Sequence, residues 1–248
     1  LMNVGMYYFS DKLVLTMHGA RELDRSELPW LHEMVADLAM RAEIPTPRLY
    51  ILDDMQPNAF ATGRNPEHGA VAVTRGLLSV LSQEEVKGVI AHELAHIRNR
   101  DILIATIAST IASAVTSLAN MLQFSAMFGG GHRDEEDSGY GSLISTLALI
   151  ILAPLAATII QLAISRSREY LADAYGASLV GRAEPLAAAL EKLENAASHV
   201  SLNNPSPATA SLFIVDPRSA GAFLMRLLST HPPMQDRIAR LREMRFDR

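Results

Sequence analysis

The sequence predicts a mainly helical α+β fold with a small β-sheet, interrupted midway by a transmembrane helical hairpin, and three observations carry that expectation. No Asp, Glu, Lys or Arg occurs from Ile102 to Gly131 or from Ser138 to Ser165, and each run exceeds the roughly 20 residues that a membrane helix needs. Several other segments place apolar residues at helical spacing. Only a few short stretches, chiefly PRLYILDD and AVAVT, have strand character.

Taken in order, SELPWLHEMVADLAMRAEIP predicts a helix from about Glu27 to Glu43, stopped by Pro45. PRLYILDD and AVAVT follow as strands, with Asn58 to Gly63 between them as a short strand or loop. Ser82 and Glu85 have capping-box spacing, so a helix opens there and runs through His96. The first apolar run predicts a helix from Ile102 to about Phe124 and the second from about Leu143 to Ile164. Their linker, GGGHRDEEDSGYG, reads as an exposed turn. Downstream, PLAAALEKLENAA is an amphipathic helix, SLFIV a short strand and PPMQDRIARLREM a final helix, with Arg237 read as a solvated helix arginine and a pair with a carboxylate near the site as the alternative. No internal repeat is visible. The domains expected are 1–101, a hairpin at 102–164 with a polar loop at 125–142, and 165–248.

Composition narrows the function. Hydrophobic residues make up 49% of the 248, and the mean hydropathy of +0.13 is high for a soluble protein. A net charge of -5 with dispersed Lys and Arg offers no basic surface, which argues against nucleic acid as a partner. With no cysteine, any metal must be held by His and carboxylate. The chain begins at Leu1 without a signal-peptide layout, and it reads as a fragment.

The alternative to a membrane hairpin is a pair of buried helices in a soluble core, since the first run carries seven Ser, Thr and Asn residues between Thr106 and Asn120. Flanking charge favours the membrane. Arg98 and Arg100 precede the first run, Arg166 and Arg168 follow the second, and the linker is net negative, as expected if the outer ends are cytoplasmic.

GVIAHELAHIRNRD holds the chemistry. His92 and His96, four apart on a helix, can both turn a ring nitrogen to one ion, and Glu93, about 100° around the helix, can reach a metal-bound water as general base. Two satisfied core histidines would give the same pattern. A catalytic zinc site wants a third ligand, and SRSREYLADAYGASL offers Glu169 as that ligand, with Asp173 one turn on to accept the free ring N–H of a liganded His. A solvated helix start and a plain surface carboxylate are the rival readings. If the HELAH helix continues into the apolar run, His96 lies roughly 9 Å along it from Ile102.

NAFATG, HELAH, SRSREYLADA and STHPP, in this order over most of the chain, resemble the HtpX-type membrane zinc metallopeptidases, a gluzincin family whose relatives include the CAAX-processing proteases. The resemblance implies a zincin-like catalytic domain, one zinc on His92, His96 and Glu169, and Glu93 as base. It also implies His231 as a second donor to the oxyanion, where capping of the last helix is the alternative. Asn58 and Ala59 match the edge segment that contacts substrate backbone, where a turn residue after Pro57 is the alternative. Family members carry two further membrane helices before the stretch matching Tyr7 to Leu15, which fits truncation.

The function expected is a zinc-dependent endopeptidase of the bacterial inner membrane, cleaving misfolded or damaged membrane proteins from the cytoplasmic face under stress. Its partners would be unfolded polypeptide and the lipid bilayer. An intramembrane protease and a membrane scaffold or chaperone with a purely structural zinc are the rivals.

Overall fold

The computed structural model describes residues 14–128, 140–199 and 232–246, so most of the polar loop expected at 125–142 and the SLFIV strand lie outside the described residues, while residues 125–128 and 140–142 of that loop are helical. The chain divides into two compact units, Leu1–Leu103 with Ser165–Arg248, and Ile104–Ile164. The first unit is thus assembled from two stretches that flank the apolar region.

In that unit a four-stranded sheet is built from β1 (Arg21–Glu22), β2 (Arg48–Leu52), β3 (Ala59–Thr62) and β4 (Ala70–Thr74) in the order β1-β2-β4-β3. β2 and β4 run parallel, while β1 and β3 add antiparallel at the two sides. Strand alternation sorts the side chains. Leu49, Ile51, Val71 and Val73 enter the main core with the helices, while Tyr50, Leu52, Ala70 and Ala72 join Phe60 and Leu15 in a smaller cluster on the opposite face.

Helix α1 (Pro29–Arg41) is shorter at both ends than the periodicity suggests. Pro29 begins it after Leu28 in the left-handed region, and Glu43, also left-handed, turns the chain away before Pro45 acts. Its Leu31, Val35 and Leu38 are fully buried. α2 (Arg75–Val80) leads to α3 (Gln83–Arg98), which carries the HELAH sequence and buries Ile90 and Leu94.

α3 packs against α6 (Glu184–His199), and α6 against α7 (Met234–Glu243), so the two halves of the unit share one core. Gly88 permits the α3–α6 contact, because a Cβ there would lie 2.7 Å from the Leu186 backbone nitrogen. Leu186, Leu190 and Leu193 fill the far side, each adding about 1.5–3 kcal/mol by burial.

The apolar helices are longer than their sequence patterns. α4 spans Asp101–Phe128 and α5 runs without interruption over Tyr140–Val180, carrying the second apolar run directly into SRSREYLADAYGASL. The expectation of one continuous helix from HELAH into the first run is corrected. α3 ends at Arg98, Asn99 caps it and Arg100 adopts φ 55, so that α4 starts afresh at Asp101.

Two stretches, Asp101–Ser125 and Ile150–Val180, are long and apolar enough to cross a membrane. Only 6% of the first stretch's most apolar window is buried and 0% of the second's, which is the opposite of a soluble core helix. Ile107, Ile111 and Leu118 on α4 and Ile151, Ile159 and Ile160 on α5 are exposed. Some of the hydroxyls that make α4 only moderately apolar are turned inward onto the helix: Thr110 and Thr116 donate to the carbonyls of Thr106 and Ala112 at 2.7 and 2.9 Å.

Candidate metal centre

The helix that presents His92, Glu93 and His96 is fixed at its start by a complete capping box. The Glu85 carboxylate accepts from the Ser82 N–H at 2.7 Å and the Ser82 hydroxyl accepts from the Glu85 N–H. Lys192 of α6 also donates to Glu85 at 2.9 Å. Burial alone would raise the Glu85 carboxyl, but Lys192 and Ser82 outweigh it and hold it below the usual range. From this anchored start, the histidines fall one turn apart and face α5.

Glu169, on α5, comes to the same point. His92 Nε2 lies 3.1 Å from His96 Nε2, 3.7 Å from Glu169 Oε2, and His96 Nε2 lies 3.6 Å from Glu169 Oε1. Each ring turns its other nitrogen to a carboxylate: His92 Nδ1 is 2.9 Å from Asp173 Oδ1 and His96 Nδ1 is 2.6 Å from Asp101 Oδ2. The hydrogen bond to Asp101 places the His96 proton on Nδ1, the nearby Asp173 favours the same tautomer for His92, and the two Nε2 lone pairs then face each other, with Arg237 Nη2 3.4 Å from that of His92. Lone pairs so placed repel unless a cation lies between them. Two nitrogens on one zinc ion at about 2.0–2.1 Å would sit about 3.3 Å apart, close to the spacing found. His92, His96 and Glu169 therefore fit a metal ion, with all donor atoms within 4.8 Å of one another.

Arg237 of α7 completes the cluster and corrects the reading of it as a solvated arginine. It is 0% exposed, bonded through Nε and Nη2 to both oxygens of Asp173 at 2.8 and 2.6 Å, with Nη1 3.1 Å from Glu169 Oε2. Burial works against its charge, but Asp173, Glu169 and Glu93 together raise the guanidinium above its ordinary value. Glu93 is itself buried. Burial pushes its carboxyl up, His92 and His96 pull it down, Glu169 raises it and the Ala61 N–H lowers it, with a net rise.

The remaining expected residues sit as follows. Ala59 opens β3, the last strand of the sheet order among the described residues. Asn58 is buried, its N–H bonded to Thr74 Oγ1 at 2.9 Å and its carbonyl accepting from the Thr74 N–H at 2.9 Å. Because bonded pairs alternate along an antiparallel ladder, Phe60 and Thr62 also turn their main chain to β4, whereas Ala59 and Ala61 turn theirs away from it. The Ala61 N–H that faces Glu93 fits this register. His231 lies outside the described residues.

Two residues of the cluster, Asp101 and Arg168, escaped the sequence reading, and for Arg237 the pair with a carboxylate was the alternative set aside. Asp101 is five residues beyond His96, a spacing that no regular helix brings together. Arg168, next to Glu169, pairs with Asp101. Arg237 had a legible signal, since Met234, Arg237, Ile238 and Leu241 form one helical face and the other three are apolar.

Comparisons with known proteins show the family of the chain. The model of peptidase family M48 matches residues 25–245. "Protease HtpX homolog" of Aquifex aeolicus is 55% identical over 245 residues, covering 98% of this chain and 80% of its own. The protein of the same name from Pyrococcus furiosus is 50% identical over 246 residues, covering 99% and 84%. The crystal structure of S. mikatae Ste24p superposes with a TM-score of 0.62 at 23% identity, over 97% of this chain and 56% of that one, which shows a shared fold. A family model spanning nearly the whole chain, relatives identical at every second residue and a His-His-Glu cluster beside a buried glutamate lead to one conclusion: this chain is a metallopeptidase belonging to peptidase family M48.

Proposed function

We propose that this metallopeptidase is a membrane-anchored, zinc-dependent endopeptidase that cleaves unfolded segments of misfolded or damaged membrane proteins at the cytoplasmic face of the bacterial plasma membrane, as a stress response. The observation that carries the catalytic part is Glu93, buried directly beside a three-donor set whose two Nε2 atoms face each other 3.1 Å apart. A purely structural zinc takes four closed ligands and has no use for such a base.

One zinc per chain on His92, His96 and Glu169 would polarise the scissile carbonyl and bring the pKa of a bound water toward about 7. The residues of the chain do the rest. Glu93 accepts the proton of the attacking water and passes it to the leaving amine, a task favoured by a carboxyl whose proton affinity is raised by burial. Asp173, clamped by Arg237, keeps the His92 proton on Nδ1. An extended peptide adds along β3, pairing with the main chain of Ala59 and the carbonyl of Ala61, whose N–H faces Glu93, with Asn58 at the start of that edge. His231 serves as the second oxyanion donor.

The membrane part rests on the exposed apolar faces of α4 and α5 and on arginine at the outer ends of both runs. α5, with 41 residues, is about 60 Å long, twice the hydrocarbon thickness of about 30 Å, so the helix reaches well past a bilayer. Its continuation carries Glu169 and Asp173.

Purified full chain in detergent with casein tests the catalytic reading. Glu93→Gln should keep stoichiometric zinc and lose about two or more orders of magnitude in kcat. Near-wild-type turnover by that variant would remove Glu93 as the base.

A further inference from the structure

We propose that Asp101 is the positioning residue of the ligand His96, held in place by Arg168, so that each of the two histidines is oriented by its own carboxylate–arginine pair. This rests on His96 being a metal ligand and extends that reading to residues outside the HELAH and SRSREYLADA motifs' expected roles.

The two arrangements parallel each other. On one side Asp173 Oδ1 lies 2.9 Å from His92 Nδ1 and is bonded by Arg237 of α7. On the other, Asp101 Oδ2 lies 2.6 Å from His96 Nδ1, and the guanidinium of Arg168 pairs with Oδ1. The same Arg168 Nη2 donates to the carbonyl of Asn99, the residue that caps α3, at 3.2 Å. Both side chains of this second pair are largely buried, at 12% and 20% exposure, so the contact is not a solvent-screened surface pair.

The backbone makes the contact possible at a cost. Along an uninterrupted helix, a residue five positions after His96 would lie about 140° around and about 7.5 Å along the axis, out of reach of the ring. Arg100 at φ 55 breaks that helix, and left-handed backbone is uncommon for a residue with a side chain. The break returns Asp101 to His96. α5 meets it with two successive residues, Arg168 to Asp101 and Glu169 to the donor set. A carboxylate on Nδ1 fixes the tautomer, aims Nε2 at the metal and raises its basicity.

An acidic residue in the first turn of α4 would also stabilise that helix without any metal, so the test must separate the two roles. Zinc affinity of the full chain in detergent is measured by competition with a chromophoric chelator, alongside the visible spectrum of the cobalt-substituted protein. Asp101→Ala should weaken zinc by about 10- to 100-fold and shift the cobalt bands, and Asp101→Asn, whose amide oxygen still accepts from Nδ1–H, should lose less. Arg168→Gln should move both readouts in the same direction. A lower melting temperature with unchanged zinc affinity and cobalt spectrum would overturn the proposal, and if Asp101→Ala does not fold, unchanged values in both Asp101→Asn and Arg168→Gln would do so. Retention of wild-type affinity by His96→Ala would instead sink the metal-site reading on which the proposal rests.

Discussion

Arg237 and Asp173 form a two-pronged ion pair, Nε to Oδ2 at 2.8 Å and Nη2 to Oδ1 at 2.6 Å, in which the guanidinium is wholly buried and the carboxylate almost so. The pair joins the last helix to α5, and through Asp173 to His92. Its value lies in what its loss would leave behind.

Arg237→Ala would strand the carboxylates of Asp173 and Glu169 in the interior without their counter-charge. Breaking a buried pair in this way costs about 3–5 kcal/mol, so a lower melting temperature and weaker zinc binding are expected together. Arg237→Lys should rescue only part of the loss, because an ammonium cannot make the two-pronged contact. Thermal melts and zinc titration of the three proteins check this, and a change below about 0.5 kcal/mol would mean that the arginine is not buried as described.

Gly176 touches the catalytic helix. A Cβ there would lie 2.8 Å from the His92 backbone nitrogen and 3.0 Å from its Cα, so Gly176→Ala must push α5 away from α3. The strain expected is about 1–3 kcal/mol, and because Glu169 and Asp173 ride on α5, zinc affinity should fall with stability. Ser178→Ala, exposed two residues on, is the control and should leave both unchanged. Equal behaviour of the two variants would count against the close helix contact.

Glu85 ties stability to pH. Its folded carboxyl is held below the usual range, so its contribution is fully present above the unfolded value of about 4.3 and is lost as pH falls through the folded value. Glu85→Gln removes the charge on Ser82 and Lys192 and should cost about 1 kcal/mol at pH 7. Melts from pH 7 to pH 3 should show wild type and variant converging below about pH 4. A gap that stays constant would place the effect in the cap's neutral hydrogen bonds.

The orientation proposed for the hairpin is open to labelling, because the chain has no cysteine. Arginine at the bilayer centre costs about 2.5–3.5 kcal/mol even on the lenient insertion scale, so Arg98, Arg100, Arg166 and Arg168 should set the topology firmly. Ser138→Cys should react with an impermeant thiol reagent added to intact cells, and Ser201→Cys only after lysis. Labelling of both from outside would put the metal centre on the other face.

What the sequence determined by itself is whatever depends on local spacing. Ser82 and Glu85 announced the start of α3, short runs of strand-forming apolar residues announced β2 and β4, and HELAH placed His92 and His96 on one face, because such signals relate residues only a few positions apart. Long uncharged runs likewise declared two apolar helices, since length and transfer energy are properties of a segment alone. Tertiary structure decided the rest. Arg100 in the left-handed region broke the helix that periodicity would have continued and returned Asp101 to His96, while α5 and α7 brought Arg168 and Arg237 onto carboxylates 67 and 64 positions away. A charge buried at such a distance along the chain is stabilised only by the partner that folding supplies, and no local pattern records that partner.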